Sequence, residues 1–276
     1  MDALRRLVEV WRTAIADFDD LARHLSDDEW RLPTDLAGWS VGDVVAHVAA
    51  VEAELAGDEL RPADFDRAAP HITGALGLHT EQGVVARRDD GRERVVEELD
   101  RSMRQRAAIL ADDPLDDPDG TPSITPAGVD WTWHTLLRNR AVDVWVHEQD
   151  IRRAVGKPGH LDTAGAAHVQ AVFAAALPYV VAKRAEAPAG TTVTFDVTGP
   201  LPGVYAVEVD TNGRGRAITP GPDRPTLRFT LDTESFTILG AGRRDPDRLP
   251  IRLEGDGTAH PAMAKRILAA MNLTAL

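Results

Sequence analysis

The stretch WTWHTLLRNRAVDVWVHEQDIRRAVG, residues 131–156, constrains this chain more than any other. It reads as one helix, closed by Gly156 with Pro158 just beyond, a common way for a helix to stop. Leu136, Arg140, Asp143, His147, Ile151 and Ala154 recur at three- and four-residue steps and so line one face. Asp143 and His147 stand one turn apart on that face, so their side chains converge on one small volume. Neither belongs on an otherwise apolar inner face unless something pairs with it there.

The segments before it supply the neighbours. Leu4, Leu7, Val8, Trp11, Ile15, Phe18, Leu21, Ala22 and Leu25 keep a helical period, which predicts a helix over 2–26. LPTDLAGWS, with Pro33 and Gly38, is a loop, and Ser40 with Asp43 three residues on is a capping-box variant that opens a second helix. Its stripe is Val41, Val44, Val45, Val48, Val51 and Leu55, with His47 at the flank. Residues 57–77, carrying His71, read as an irregular connection. Residues 81–111 are helical again, with a break at Gly91 and with Val95, Val96, Leu99, Met103, Ala107 and Leu110 inward. Residues 112–130 carry the Pro, Gly and Asp of a loop. Four amphipathic helices with modest connections predict a four-helix bundle over 1–156.

After Lys157, Pro158 and Gly159 the pattern changes. An alanine-rich helix over 163–184 is followed by the short alternating runs TTVTFDVTG, GVYAVEVD, GRAITPG and PTLRFTLD. A short helix over 233–240, a strand over 249–255, a turn over 254–259 and a helix over 259–272 complete the chain. Residues 160–276 are therefore expected to form a mainly antiparallel sheet with helices on one face, and the whole a two-domain α+β protein.

Length and composition agree and narrow the function. A chain of 276 residues, 43% hydrophobic, suits two domains of ordinary size. A net charge of −13 argues against nucleic acid as a partner. No apolar run near twenty residues is evident, so no transmembrane helix and no membrane partner are expected. The start of the chain is amphipathic and acidic instead of signal-like, so a cytoplasmic location is expected. With no cysteine, there is no disulfide, zinc-thiolate site or cysteine nucleophile, and any thiol chemistry must use a thiol from elsewhere. Arginine far exceeds lysine, which occurs only at 157, 183 and 265, a bias typical of a GC-rich bacterial genome.

The candidate site is His47, Asp143 and His147, from the second and fourth bundle helices. Bundle cores recurrently hold metals between inward histidines and carboxylates. Two imidazoles and one carboxylate with open positions suit catalytic Zn²⁺, or Fe²⁺ in a facial triad. The bland alternative is three unconnected polar residues in a soluble bundle. Asp150 is placed either to hold the His147 ring or to pair with Arg153, and Arg138 and Arg140 either to meet an anionic substrate or to pair with acids. Trp39, Trp131, Trp133 and Trp145 read as packing residues, and His71, His79, His134, His160, His168 and His260 show no converging spacing.

GWSVGDVVAHVAAVE around His47 and VDVWVHEQDIRRAVGKPG around His147 resemble the signature stretches of the mycothiol-dependent maleylpyruvate isomerase family, part of the DinB-like metal-binding four-helix bundles. SFTILGAGRRDPDRL and IRLEGDGTAHPAMAKRILAAMNL resemble that family's C-terminal domain, which is similar to sterol-carrier folds. The resemblance implies that His47, Asp143 and His147 are the metal ligands, Asp143 standing where the family pattern has a glutamate. It implies a divalent metal, Zn²⁺ foremost, with mycothiol as thiol cosubstrate and a small electrophile as substrate. The reaction would be a maleylpyruvate-like cis–trans isomerisation or an S-transfer. A different class of function, a non-catalytic metal- or small-molecule-binding protein, stands as the alternative.

Overall fold

A computed structural model describes residues 3–255 and 261–274. The described residues divide into two compact units, one ending at Gly159 and one beginning at His160. The α+β class holds: helices make the first unit, and the sheet lies in the second.

In the first unit, α1 (Ala3–Arg23) buries Leu4, Val8, Trp11, Ile15, Phe18 and Leu21 at helical spacing. It stops earlier than the periodicity predicts. Ser26 adopts an extended backbone and, with Glu29, forms a capping box that starts the single turn α2 (Asp27–Trp30). The Ser40–Asp43 box opens α3 (Val41–Leu55) as expected. A Cβ at Gly42 would lie 2.2 Å from Trp30 Nε1, so glycine there lets the indole lie against the helix. The connection expected over 57–77 is helical from its end: α4 (Gly74–Val85) begins at Gly74. Gly91, at φ +78°, then separates it from α5 (Arg92–Asp112). Ser102 and Arg106 are buried on α5, whereas Met103 and Ala107, expected inward, are half-buried. The last long helix, α6 (Trp133–Val155), starts after Thr132, whose side chain accepts from Thr135 N–H, and ends at left-handed Gly156. α1 packs on α6 and α5, and α3 on α5, α4 and α6.

In the second unit, α7 (Ala164–Tyr179) runs on through a π-type turn at Val180–Arg184, just past Pro178, which lacks an N–H to continue the ladder. Contrary to the sequence expectation, Ala164–Arg184 is long and apolar enough by length and composition to cross a membrane. Its apolar side chains are used within the unit, where Val169, Phe173, Leu177, Val180 and Val181 are buried and α7 packs on the sheet. The strands are β1 (Thr192–Thr198), β2 (Gly203–Val209), β3 (Gly215–Ile218), β4 (Leu227–Asp232) and β5 (Arg252–Gly255). Their order is β3-β2-β1-β4-β5, antiparallel except for the central β1–β4 pair. Phe195 and Phe229 face each other across that pair with ring centroids 5.3 Å apart. α8 (Thr233–Gly240) coincides with the predicted helix, capped by Asp232, and α9 is Pro261–Ala269. Part of the turn expected over 254–259, the first residues of the helix expected from 259, and His260 lie outside the described residues.

Candidate metal centre

His47 projects from α3 and Asp143 and His147 from α6, two helices that pack together. The i, i+4 spacing on α6 stacks its two side chains, and the contact between helices adds the third. His47 Nε2 lies 3.4 and 3.3 Å from Asp143 Oδ1 and Oδ2, and His147 Nε2 lies 3.5 Å from Asp143 Oδ1. One ligand atom from each of the three falls within 4.8 Å of the others. The imidazole rings meet edge-on, centroids 4.8 Å apart. Both are buried, whereas the Asp143 side chain keeps 23% exposure, which gives the cluster an opening on one side. Two nitrogens and one carboxylate in one small volume are a donor set that fits a divalent transition metal with positions to spare.

The surroundings act on the three groups in different directions. Burial alone would raise the Asp143 carboxyl, but Arg140, His47 and His147 outweigh it and keep it well below the usual carboxylate range. Burial pushes His47 below the ordinary imidazole value despite the pull of Asp143. Burial acts the same way on His147, but Asp143 and Asp150 together raise it.

Both roles considered for Asp150 are realised. Its Oδ2 lies 3.1 Å from His147 Nδ1 while Oδ1 accepts from Arg153, which also donates to Asp35 at 3.1 Å. That contact leaves His147 Nε2 facing Asp143 and fixes the ring. Arg140 is buried and paired, donating to Asp143 Oδ2 at 2.5 Å and to Glu52 Oε1 at 2.8 Å, so it does not greet substrate at a mouth. Arg138 donates to Asn139 Oδ1.

Trp145 is core packing, and Trp131 and Trp133 pack against Val51, Leu55 and Leu136. Trp39 is more closely tied to the site, with ring centroids 5.3 Å from His47 and 6.2 Å from His147. Its Nε1 donates to Glu81 Oε2 at 2.8 Å, and His71 Nε2 lies 3.2 Å from the same oxygen. His71 and His79 thus serve carboxylates, Glu81 and Glu54, and do not join the candidate cluster. Sequence reading missed Glu52, Arg106 and Glu81. The available signal was a glutamate inside the apolar run VVAHVAAVEAEL and an arginine on the inward face of α5, both anomalous in the way Asp143 is.

Comparison with known proteins places this geometry in context. The profile described as the mycothiol maleylpyruvate isomerase N-terminal domain matches residues 11–152, the span that holds all three candidate ligands. The crystal structure of the mycothiol-dependent maleylpyruvate isomerase superposes with a TM-score of 0.54 at 15% identity, covering 91% of this chain and 93% of that one. The structure of its histidine-to-alanine mutant gives 0.53 at 14% identity, with the same coverage. These likenesses establish a shared fold over nearly the full length of both chains. No curated protein sequence matches.

Proposed function

The chain belongs to the mycothiol maleylpyruvate isomerase family, and on that premise we propose that it is a metal-dependent enzyme using mycothiol on a small electrophilic substrate. The observation that carries this reading is the convergence of His47, Asp143 and His147 ligand atoms within 4.8 Å inside the family-matched segment. A Zn²⁺ held by these three residues would bind the thiol sulfur at an open position and lower its pKa, supplying thiolate at neutral pH. The protein's own side chains do the rest. Asp150 fixes the His147 ring, Arg140 keeps Asp143 ionised and turned inward, and Trp39 covers the imidazoles with an apolar face. The chain has no cysteine to compete for the metal or for the electrophile, so the reacting sulfur is the cosubstrate's.

The sulfur forms a bond to one carbon of an activated cis double bond, leaving a single bond about which the adduct rotates. Breaking the same carbon–sulfur bond returns the thiol and the trans alkene, an isomerisation with no net change in atoms. If a proton reaches the neighbouring carbon first, the thioether is released and the reaction is an S-transfer. Support for the isomerase outcome is the family itself.

The test is metal content of the purified protein beside His147→Ala and Asp143→Ala, with folding followed by circular dichroism. We expect about one zinc per chain, lost in both variants. Mycothiol turnover of a maleylpyruvate-like substrate should be lost with it. A wild-type protein that holds no metal after zinc is offered and dialysed away would refute the proposal. Stoichiometric metal without thiol turnover would instead favour a metal- or small-molecule-binding role, with the second unit as a sterol-carrier-like ligand domain.

A further inference from the structure

Several of the most deeply buried charges of the bundle lie beside the candidate ligands, and the reading above gives a role to Arg140 and Asp150 but none to Glu52 or Arg106. Glu52 of α3 is fully buried and accepts from one residue on each of the other three long bundle helices. Trp11 Nε1 of α1 donates at 3.1 Å, Arg106 Nη1 of α5 at 2.8 and 3.1 Å, and Arg140 Nη2 of α6 at 2.8 Å. The Arg106 guanidinium also sits over the Trp11 ring, 4.5 Å from its centroid. Arg140 turns its other terminal nitrogen to Asp143 Oδ2. The result is a row of alternating charge, Arg106, Glu52, Arg140, Asp143, ending in the site.

Stability is a poor reason to keep such a row. Taking ions out of water is costly, and apolar residues of similar volume often serve as well or better. The row is not even fully satisfied, since Arg106 Nη2 and Arg140 Nε are buried with no hydrogen-bond partner among the described residues. What the row does achieve is orientation. A guanidinium is planar, and one held at both ends by carboxylates has a single setting. Fixed this way, Arg140 holds Asp143 Oδ2, which also lies 3.3 Å from His47 Nε2, and leaves Oδ1, clear of the guanidinium, within 3.4 and 3.5 Å of both imidazole Nε2 atoms. His147 has the equivalent backing on its other side, where Asp150 is itself held by Arg153.

We propose that Glu52, anchored by Arg106 and Trp11, is a positioning residue: it sets Arg140, which fixes the oxygen that Asp143 presents to a metal. The proposal rests on the metal reading of the site, and its test separates the two.

The test is titration of the full chain with cobalt(II), whose visible absorption bands report ligand geometry and whose affinity is measured by competition with a chelator. Glu52→Gln keeps the shape and the acceptor oxygen but removes the charge. We expect it to bind cobalt about 10–100-fold more weakly, with altered bands. Ile15→Ala, buried in the bundle outside the row, should melt earlier yet keep the wild-type affinity and bands. If Glu52→Gln does not fold by circular dichroism, the paired Glu52→Gln, Arg106→Gln variant removes the buried charges together and is read in its place, with the same expected loss. A folded variant with unchanged affinity and bands overturns the proposal while the metal site stands. A wild-type chain that takes up no cobalt overturns the metal reading, and the proposal falls with it.

Discussion

The two units of this chain bury different things. In the first, Glu52, Arg106, Arg140, His147, Glu148 and Asp150 are each at most 3% exposed. In the second, the buried interior is Phe173, Phe195, Phe229, Phe236 and aliphatic side chains. Its buried polar groups among the described residues are hydroxyls, Gln170 and one charge, Arg243. Two of those hydroxyls bond to nearby backbone, Thr233 Oγ1 donating to Thr198 O at 3.0 Å and Thr237 Oγ1 to Thr233 O at 3.0 Å, while the neutral Thr194 Oγ1 is buried with no partner among the described residues. A bundle of this size folds perfectly well on apolar side chains. Charges held inside one are tolerated only in matched sets, and their presence marks where the fold has been bent toward a site.

The difference predicts opposite vulnerabilities, and the chain carries its own reporters. All six tryptophans lie in the first unit and both tyrosines in the second, so tryptophan emission follows the bundle alone. The largest effect is expected from unpairing a charge. Glu52→Ala leaves the Arg106 and Arg140 guanidiniums buried without their shared acceptor. It should cost about 3–5 kcal/mol, read as an earlier urea midpoint in tryptophan emission. A loss below about 1 kcal/mol would mean that water reaches the row, and the contrast between the units would fail.

The second unit should instead be intolerant of volume. A Cβ at Gly215 would lie 2.0 Å from Pro178 O, a backbone atom that cannot move aside as a side-chain tip can. Gly215→Ala should therefore cost about 1–3 kcal/mol through displaced backbone. Hydrogen exchange resolved by segment should show the loss in β3 and the α7 end. Normal protection there would show that the strand shifts freely.

Acid sharpens the contrast further. Burial alone would raise the Glu52 carboxyl, but Arg106 and Arg140 outweigh it and hold it below the ordinary 4.5. A group whose folded pKa is depressed stabilises the fold above its unfolded pKa and loses that contribution as pH falls through the folded value. The bundle should thus weaken progressively below about pH 4.5. The buried side chains described in the second unit include no carboxylate. Tryptophan-detected melting should fall with pH in that window. In Glu52→Gln, where the group cannot titrate, the fall should be shallower. An equal slope in both proteins would assign the acid sensitivity elsewhere.

Much of this was legible in the sequence, for a physical reason. Periodicity marks any helix that buries one stripe, so α1, α3 and α6 could be read directly, and with them the shared volume on which His47, Asp143 and His147 converge. Alternation and turn residues gave β1, β2, β4 and the exact span of α8. What escaped depends on contacts between helices. α4 begins at Gly74 within a stretch that has no continuous apolar stripe. Glu52 and Arg106 stand out as charges on inward faces, but what pairs with them is set only when three other helices close around Glu52. The apolarity of Ala164–Arg184 likewise makes sense only once the sheet it covers is present.

The smallest effect tests whether the contrast lies in local chemistry at all. The same capping device opens a helix in each unit. Ser40 Oγ accepts from Asp43 N–H at 3.2 Å at the start of α3, and Thr163 Oγ1 accepts from Ala166 N–H at 3.3 Å at the start of α7. An N-cap satisfies backbone donors left open by the helix itself, whatever the helix packs against. Ser40→Ala and Thr163→Ala should therefore cost the same, about 1 kcal/mol each, seen as faster exchange in the first turn of the respective helix. Equal losses would place the difference between the units in what their helices bury. A markedly larger loss at Ser40 would show that its capping box also supports the site, through the pairing of Asp43 with Arg88 and of Arg88 with Glu81 beneath Trp39.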